Sequence, residues 1–71
     1  MKKYQIDLGY QVKSHHYKVE SFEISATDND DAINRMEAEL RNYRGKTKAK
    51  RIYGQCRNEE YGLIKIKYYD L

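Results

Sequence analysis

Tyr4, Ile6, Leu8, Tyr10 and Val12 fill every even position from 4 to 12, with Lys3, Gln5, Asp7, Gly9 and Gln11 between them. Side chains along a strand point alternately to its two faces, so this period of two describes a strand with one buried and one wet side. A chain that opens this way must lay apolar material over one face of a sheet. How much covering material the remaining residues provide decides what the other face meets.

A polar turn, Lys13-Ser14-His15-His16, comes next. The following apolar run begins in odd register at Tyr17 and Val19 and continues in even register at Phe22, Ile24 and Ala26. A β-bulge near Glu20–Ser21 accounts for such a change of parity. Residues 3–12 and 16–26 therefore read as a hairpin.

Thr27-Asp28-Asn29-Asp30-Asp31 has the chemistry of a helix start. Thr27 or Asp28 can cap it, and the acids suit its positive end. Ile33, Met36, Leu40 and Tyr43, with Ala32 beside them, recur at helical spacing as one apolar stripe. Glu37 and Arg41 form a favourable pair four residues apart. Gly45 follows Arg41 and Arg44 as a helix-ending residue, so the spacing predicts a helix over 29–44.

Two more strands, 49–57 and 61–70, flank the turn Arg57-Asn58-Glu59-Glu60. In the former, Ile52 and Cys56 face one way and Arg51, Tyr53 and Gln55 the other. In the latter, Ile64, Ile66 and Tyr68 share the side read as buried, leaving Lys65, Lys67 and Tyr69 outward.

The pattern is α+β: a single domain over residues 1–71 with a two-layer ββαββ architecture, in which one helix packs on one face of a four-stranded antiparallel sheet. Strand orders 2-1-3-4 and 1-2-4-3 both keep all neighbours antiparallel. One helix covers one face, so the opposite face must meet water or a partner.

With 71 residues, no proline, 39% hydrophobic and 35% charged residues, there is enough apolar chain for one small core. A domain of this size buries only about 60% of its unfolded surface. That argues against a layered enzyme with a deep pocket. Cys56 stands alone, so no disulfide forms within the chain, which fits a reducing compartment. No run approaches the roughly 20 apolar residues needed to cross a bilayer, and no apolar core of a signal peptide follows the basic N-terminus. A cytoplasmic protein without a membrane partner is expected.

The formal net charge of +3 conceals a strong asymmetry. Residues 28–39 hold five acids and one arginine, whereas residues 44–58 hold six cations and no acid. Arg44, Lys46, Lys48, Lys50, Arg51 and Arg57 are the cations of this basic segment, and Tyr53, Lys65, Lys67 and Tyr69 extend it as outward residues of the sheet. Together these ten form the candidate partner-binding set. Lysine and arginine neutralise phosphates, and tyrosine rings stack on bases or anchor protein interfaces. The plainer alternative is a solvated loop offsetting the helix dipole, with lysines guarding a strand edge.

Eight tyrosines accompany one Phe and no Trp. Tyr4, Tyr10, Tyr17, Tyr43 and Tyr68 are expected in the core or at its edge, and Tyr53, Tyr61 and Tyr69 outside it. His15 and His16 are adjacent and lack partners at zinc-site spacing, so a turn role is favoured over a metal. Cys56 reads as a core thiol. Gly-rich phosphate loops, nucleophile elbows and paired catalytic carboxylates are absent, so neither an enzyme nor a cofactor is expected.

In size, single-helix ββαββ pattern and lack of a catalytic motif, the chain resembles small phage- or mobile-element-encoded accessory proteins, including some anti-CRISPR inhibitors. The resemblance implies a non-enzymatic protein that docks on a protein or ribonucleoprotein, and it carries over no individual residue. Two other partners fit the same surface: RNA or DNA bound directly, and a second copy forming a homodimer sheet to sheet or edge to edge.

Overall fold

A computed structural model describes residues 1–60 and 62–70. The element order is β1 (Lys2–Val12), β2 (His15–Ala26), α1 (Asn29–Arg44), β3 (Arg51–Asn58) and β4 (Gly62–Asp70). The strands form one antiparallel sheet in the order β2-β1-β3-β4, which decides between the two arrangements left open above. The ββαββ α+β architecture is as expected.

The core lies between α1 and the two central strands. Tyr4, Ile6 and Leu8 from β1, Ile52 and Cys56 from β3, and Ala32, Met36, Leu40 and Tyr43 from α1 are all buried. Gly54 sets the spacing of the two layers. A Cβ there would lie 2.6 Å from Met36 Sδ and 3.2 Å from Leu40 Cδ2, so its absence lets the helix settle onto β3.

Asp28 caps α1, its Oδ1 accepting from the Asp31 N–H at 2.8 Å, while Asp31 Oδ2 accepts from the Thr27 N–H at 3.0 Å. This reciprocal arrangement satisfies donors that a helix start leaves free. At the other end Gly45 keeps a right-handed φ of −79°, and the Lys46 N–H reaches the Tyr43 carbonyl at 2.8 Å. The β1–β2 turn needs a left-handed residue, a role that Lys13 fills at φ 57°.

The bulge in β2 lies slightly earlier than expected. Leu8 pairs with Glu20 and Gly9 with Lys18, leaving Val19 as the extra residue.

Edge strand β4 departs further from expectation. Its register opposes Tyr69 to Ile52, Lys67 to Gly54 and Lys65 to Cys56. Directly opposed residues share a face, so Lys65, Lys67 and Tyr69 lie on the helix side and not on the outward face assigned to them. Ile66 and Tyr68 take the open face instead, while Ile64, at a register shift, packs against the core. The physical reason lies in the edge. The helix packs chiefly on β3 and leaves the margin beside β4 wet, so long side chains can lie on the apolar surface with their heads in solvent. Lys67 Nζ meets Glu37 Oε1 of the helix at 3.3 Å. The Tyr69 ring packs on the core, with Arg44 Cζ and Lys67 Nζ at 5.8 and 5.6 Å from its centroid.

Candidate functional site

The face away from α1 carries two rows of side chains, each running across several strands. In the first, His16 of β2 reaches over Gly9 of β1 to Tyr53 of β3 and Tyr68 of β4. The His16 ring meets the Tyr53 ring edge-on with centroids 4.9 Å apart, and its Nε2 is 3.0 Å from the Tyr68 hydroxyl. Tyr53 and Tyr68 are cross-strand partners with centroids 6.5 Å apart. Gly9 makes the floor of this row, for a Cβ there would run into the Tyr17 carbonyl oxygen and approach Tyr53 Cε1 to 2.9 Å.

Tyr53 thus points outward as expected, yet its neighbours leave only 4% of it exposed. That burial pushes its hydroxyl pKa upward, so it stays a neutral donor. Tyr68, expected in the core, is 40% exposed on this face. Arg51 Cζ stands 5.7 Å from the Tyr68 ring centroid, held by Asp70 with Nε–Oδ1 at 2.6 Å.

The second row is polar. Asp7 is almost completely buried although no second layer covers it among the described residues. Ser21 Oγ donates to its Oδ1 at 2.7 Å, Arg57 Nη2 to its Oδ2 at 2.6 Å, and Gln5 Nε2 donates in turn to Ser21. Desolvation pushes the Asp7 carboxyl up, but the two hydrogen bonds and the charges of Arg57 and Lys18 outweigh it and hold the carboxyl below its ordinary value. Arg57, a candidate contact residue, is therefore engaged within the face.

Asp31, accepting the Thr27 N–H, and Asp70, accepting from Arg51, are also held low. A carboxyl depressed in the folded state stabilises the fold above its unfolded pKa, near 3.9 for Asp, and loses that contribution as pH falls through the folded value. Urea midpoints should therefore stay level from about pH 7 to 5 and drop below about pH 4. Asp7→Asn should flatten that acid limb, and an unchanged slope would remove Asp7 as a contributor.

Charges on the open face are largely paired with one another: Lys3 with Glu23, Arg57 with Asp7, Arg51 with Asp70. Six cations outside these pairs gather instead at one end of the 35 Å long axis, where the β1–β2 turn, the end of α1 and the 45–50 loop come together. Lys13, Arg41, Arg44, Lys46, Lys48 and Lys50 are exposed there, and none lies within 4 Å of an acid among the described residues. Asp28, Asp30, Asp31, Glu59 and Glu60 collect at the opposite end with Lys2 and Lys3. Two shallow depressions there, of about 240 and 290 Å³, mix acids with Lys2.

The ten candidate residues therefore divide among three places. Arg51, Tyr53 and Arg57 belong to the open face. Lys65, Lys67 and Tyr69 belong to the helix side of β4. Arg44, Lys46, Lys48 and Lys50 belong to the cationic end. Sequence reasoning misses His16, assigned to a turn, and Gly9, whose place between bulky residues of a strand marks a close approach. Tyr61 falls outside the described residues.

Cys56 is buried, which pushes its thiol pKa up and leaves it a poor nucleophile at neutral pH. Among the described residues no group of three His, Cys, Asp or Glu side chains could hold a metal, and no helix is long and apolar enough to span a membrane. Comparison with protein-family models, curated proteins and solved structures returns no match, so the open face and the charged ends must carry the functional argument themselves.

Proposed function

We propose that this is a non-enzymatic binding protein that docks on a protein or ribonucleoprotein partner through the open sheet face, in the manner of the small accessory inhibitors it resembles. The observation that carries the reading is the His16–Tyr53–Tyr68 row, rings on a sheet face that no second layer covers. Flanking charges already paired within the chain need little further compensation when a partner removes water. Aromatic anchors ringed by satisfied polar groups are what protein interfaces use as hot spots.

Tyr68→Ala combined with His16→Ala removes exposed ring surface without opening the helix-side core. The double variant should keep nearly its full urea midpoint and bind partner more weakly, by roughly tenfold or more. Affinity capture from the native host, with and without nuclease, supplies the partner for that titration. Binding that survives the double substitution at full strength would move the interface off this face.

A second reading, direct binding of RNA or DNA, is favoured by one specific observation: six cations at one end of the molecule, unpaired among the described residues. Contacts to duplex phosphates lower log affinity by about 0.9 per decade of salt for each phosphate neutralised. Lys46→Glu with Lys48→Glu should reduce that slope by about 1.8 if nucleic acid is the ligand, and leave capture unchanged if a protein is gripped by the open face.

A further inference from the structure

The geometry points to a second copy of this chain as the occupant of the free edge of β2, paired antiparallel about a two-fold axis so that Lys18 of each copy opposes Glu23 of the other. Edge pairing leaves both open faces exposed and therefore stands independently of the docking reading.

β2 and β4 are the two margins of the sheet, and an unpaired margin is a template for another strand. The two margins differ in how they would receive a copy of themselves. In β4, a two-fold axis at Ile66 sets Lys65 against Lys67 of the other chain, a like-charge contact that disfavours pairing. In β2 the charges are ordered along the strand, with Lys18 before the bulge and Glu20 and Glu23 after it. Antiparallel self-pairing turns that order into attraction.

The bulge makes the faces agree as well. A two-fold axis through Ser21 sets Ser21 against Ser21 and Glu20 against Phe22, residues of like face. In a regular strand the same register would go on to set Lys18 against Ile24, which here lie on opposite faces. Val19, the extra residue, shifts the parity. Lys18 and Glu23 pair with Gly9 and Gln5 of β1, both on the open face. Tyr17 and Ile24 pair with Tyr10 and Tyr4, both on the helix face. The same axis therefore sets Lys18 against Glu23 on one face and Tyr17 against Ile24 on the other, each twice. Tyr17 at 46% and Val19 at 53% are among the most exposed large apolar residues of the chain and lie in the strand that would be covered. The acidic end of one copy comes to rest beside the hairpin turn and Lys13 of the other, and the sheet continues through both copies.

Sedimentation equilibrium of the full chain over roughly a hundredfold range of concentration tests this, because self-association is set by mass action. The wild type should show a concentration-dependent dimer. Lys18→Glu alone and Glu23→Lys alone each replace both cross-strand attractions by repulsions, and each should weaken the dimer by about tenfold or more. In a mixture of the two variants, the introduced glutamate of one chain faces the introduced lysine of the other. The native Glu23 of the first chain likewise faces the native Lys18 of the second, so a heterodimer should reappear with near wild-type affinity. Circular dichroism of each variant guards against misfolding, and recovery on mixing requires both to be folded. A wild type that stays monomeric throughout, or two variants that associate as well as the wild type, would overturn the inference. Failure of the mixture to recover would do the same.

Discussion

Leu40→Ala is expected to lower the unfolding free energy by about 2–5 kcal/mol. Leu40 is completely buried, and its side chain meets the floor that Gly54 leaves open on β3. Truncation removes the transfer free energy of the lost carbons and leaves a cavity that the surrounding core side chains fill only in part. Stability of roughly 0.05–0.15 kcal/mol per residue gives a chain of this length about 4–11 kcal/mol in all. One substitution therefore removes roughly a fifth of the stability or more. Urea titration followed by far-UV circular dichroism should show a much lower midpoint with an unchanged slope. A loss below about 1 kcal/mol would mean that α1 does not pack on β3 through this side chain.

The same contact explains which parts of the fold are legible in the sequence. β1 and α1 announce themselves because each has one apolar face, and the physics of burial writes that face at a period of 2 or 3.6. The cap at Asp28 and the change of parity in β2 are likewise local. Strand order is different, because both candidate orders satisfy every local rule. What separates them is where the two central strands meet the helix, a long-range property.

β4 misleads for a related reason. Its alternation is plain, but hydrophobicity alone turns Ile66 and Tyr68 inward. At an edge the helix shelters little, so Lys67 can pair with Glu37 and lay its stem on the core margin while Tyr68 joins a ring cluster outside. The candidate site is the least legible part. Its cations are easy to count, but the row of His16, Tyr53 and Tyr68 draws on three strands and depends on a missing side chain at Gly9. Absence of a Cβ leaves only a weak trace in a sequence.

That missing side chain yields the second large effect. Gly9→Ala should cost about 3 kcal/mol, at the upper end of overpacking penalties, because the obstacle is not a flexible side chain that can turn away. The new methyl would meet the Tyr17 carbonyl oxygen, part of the β2 backbone beside the bulge, and the rim of the Tyr53 ring at 2.9 Å. Relief requires β2 to move off β1 or the bulge to re-form elsewhere, and either motion takes His16 away from Tyr68. The variant should thus lose stability and the ring cluster together, read as a lower urea midpoint and as displaced His16 and Tyr68 ring resonances in NMR spectra. Gly45→Ala is the matched control. Its nearest obstacle would be the Asn42 carbonyl oxygen at 3.8 Å, its φ is right-handed, and it should be neutral or stabilising by up to about 1 kcal/mol. If Gly9→Ala proves as stable as Gly45→Ala, the close approach of β2 to β1 at the bulge is refuted, and with it the floor on which the ring cluster is assembled.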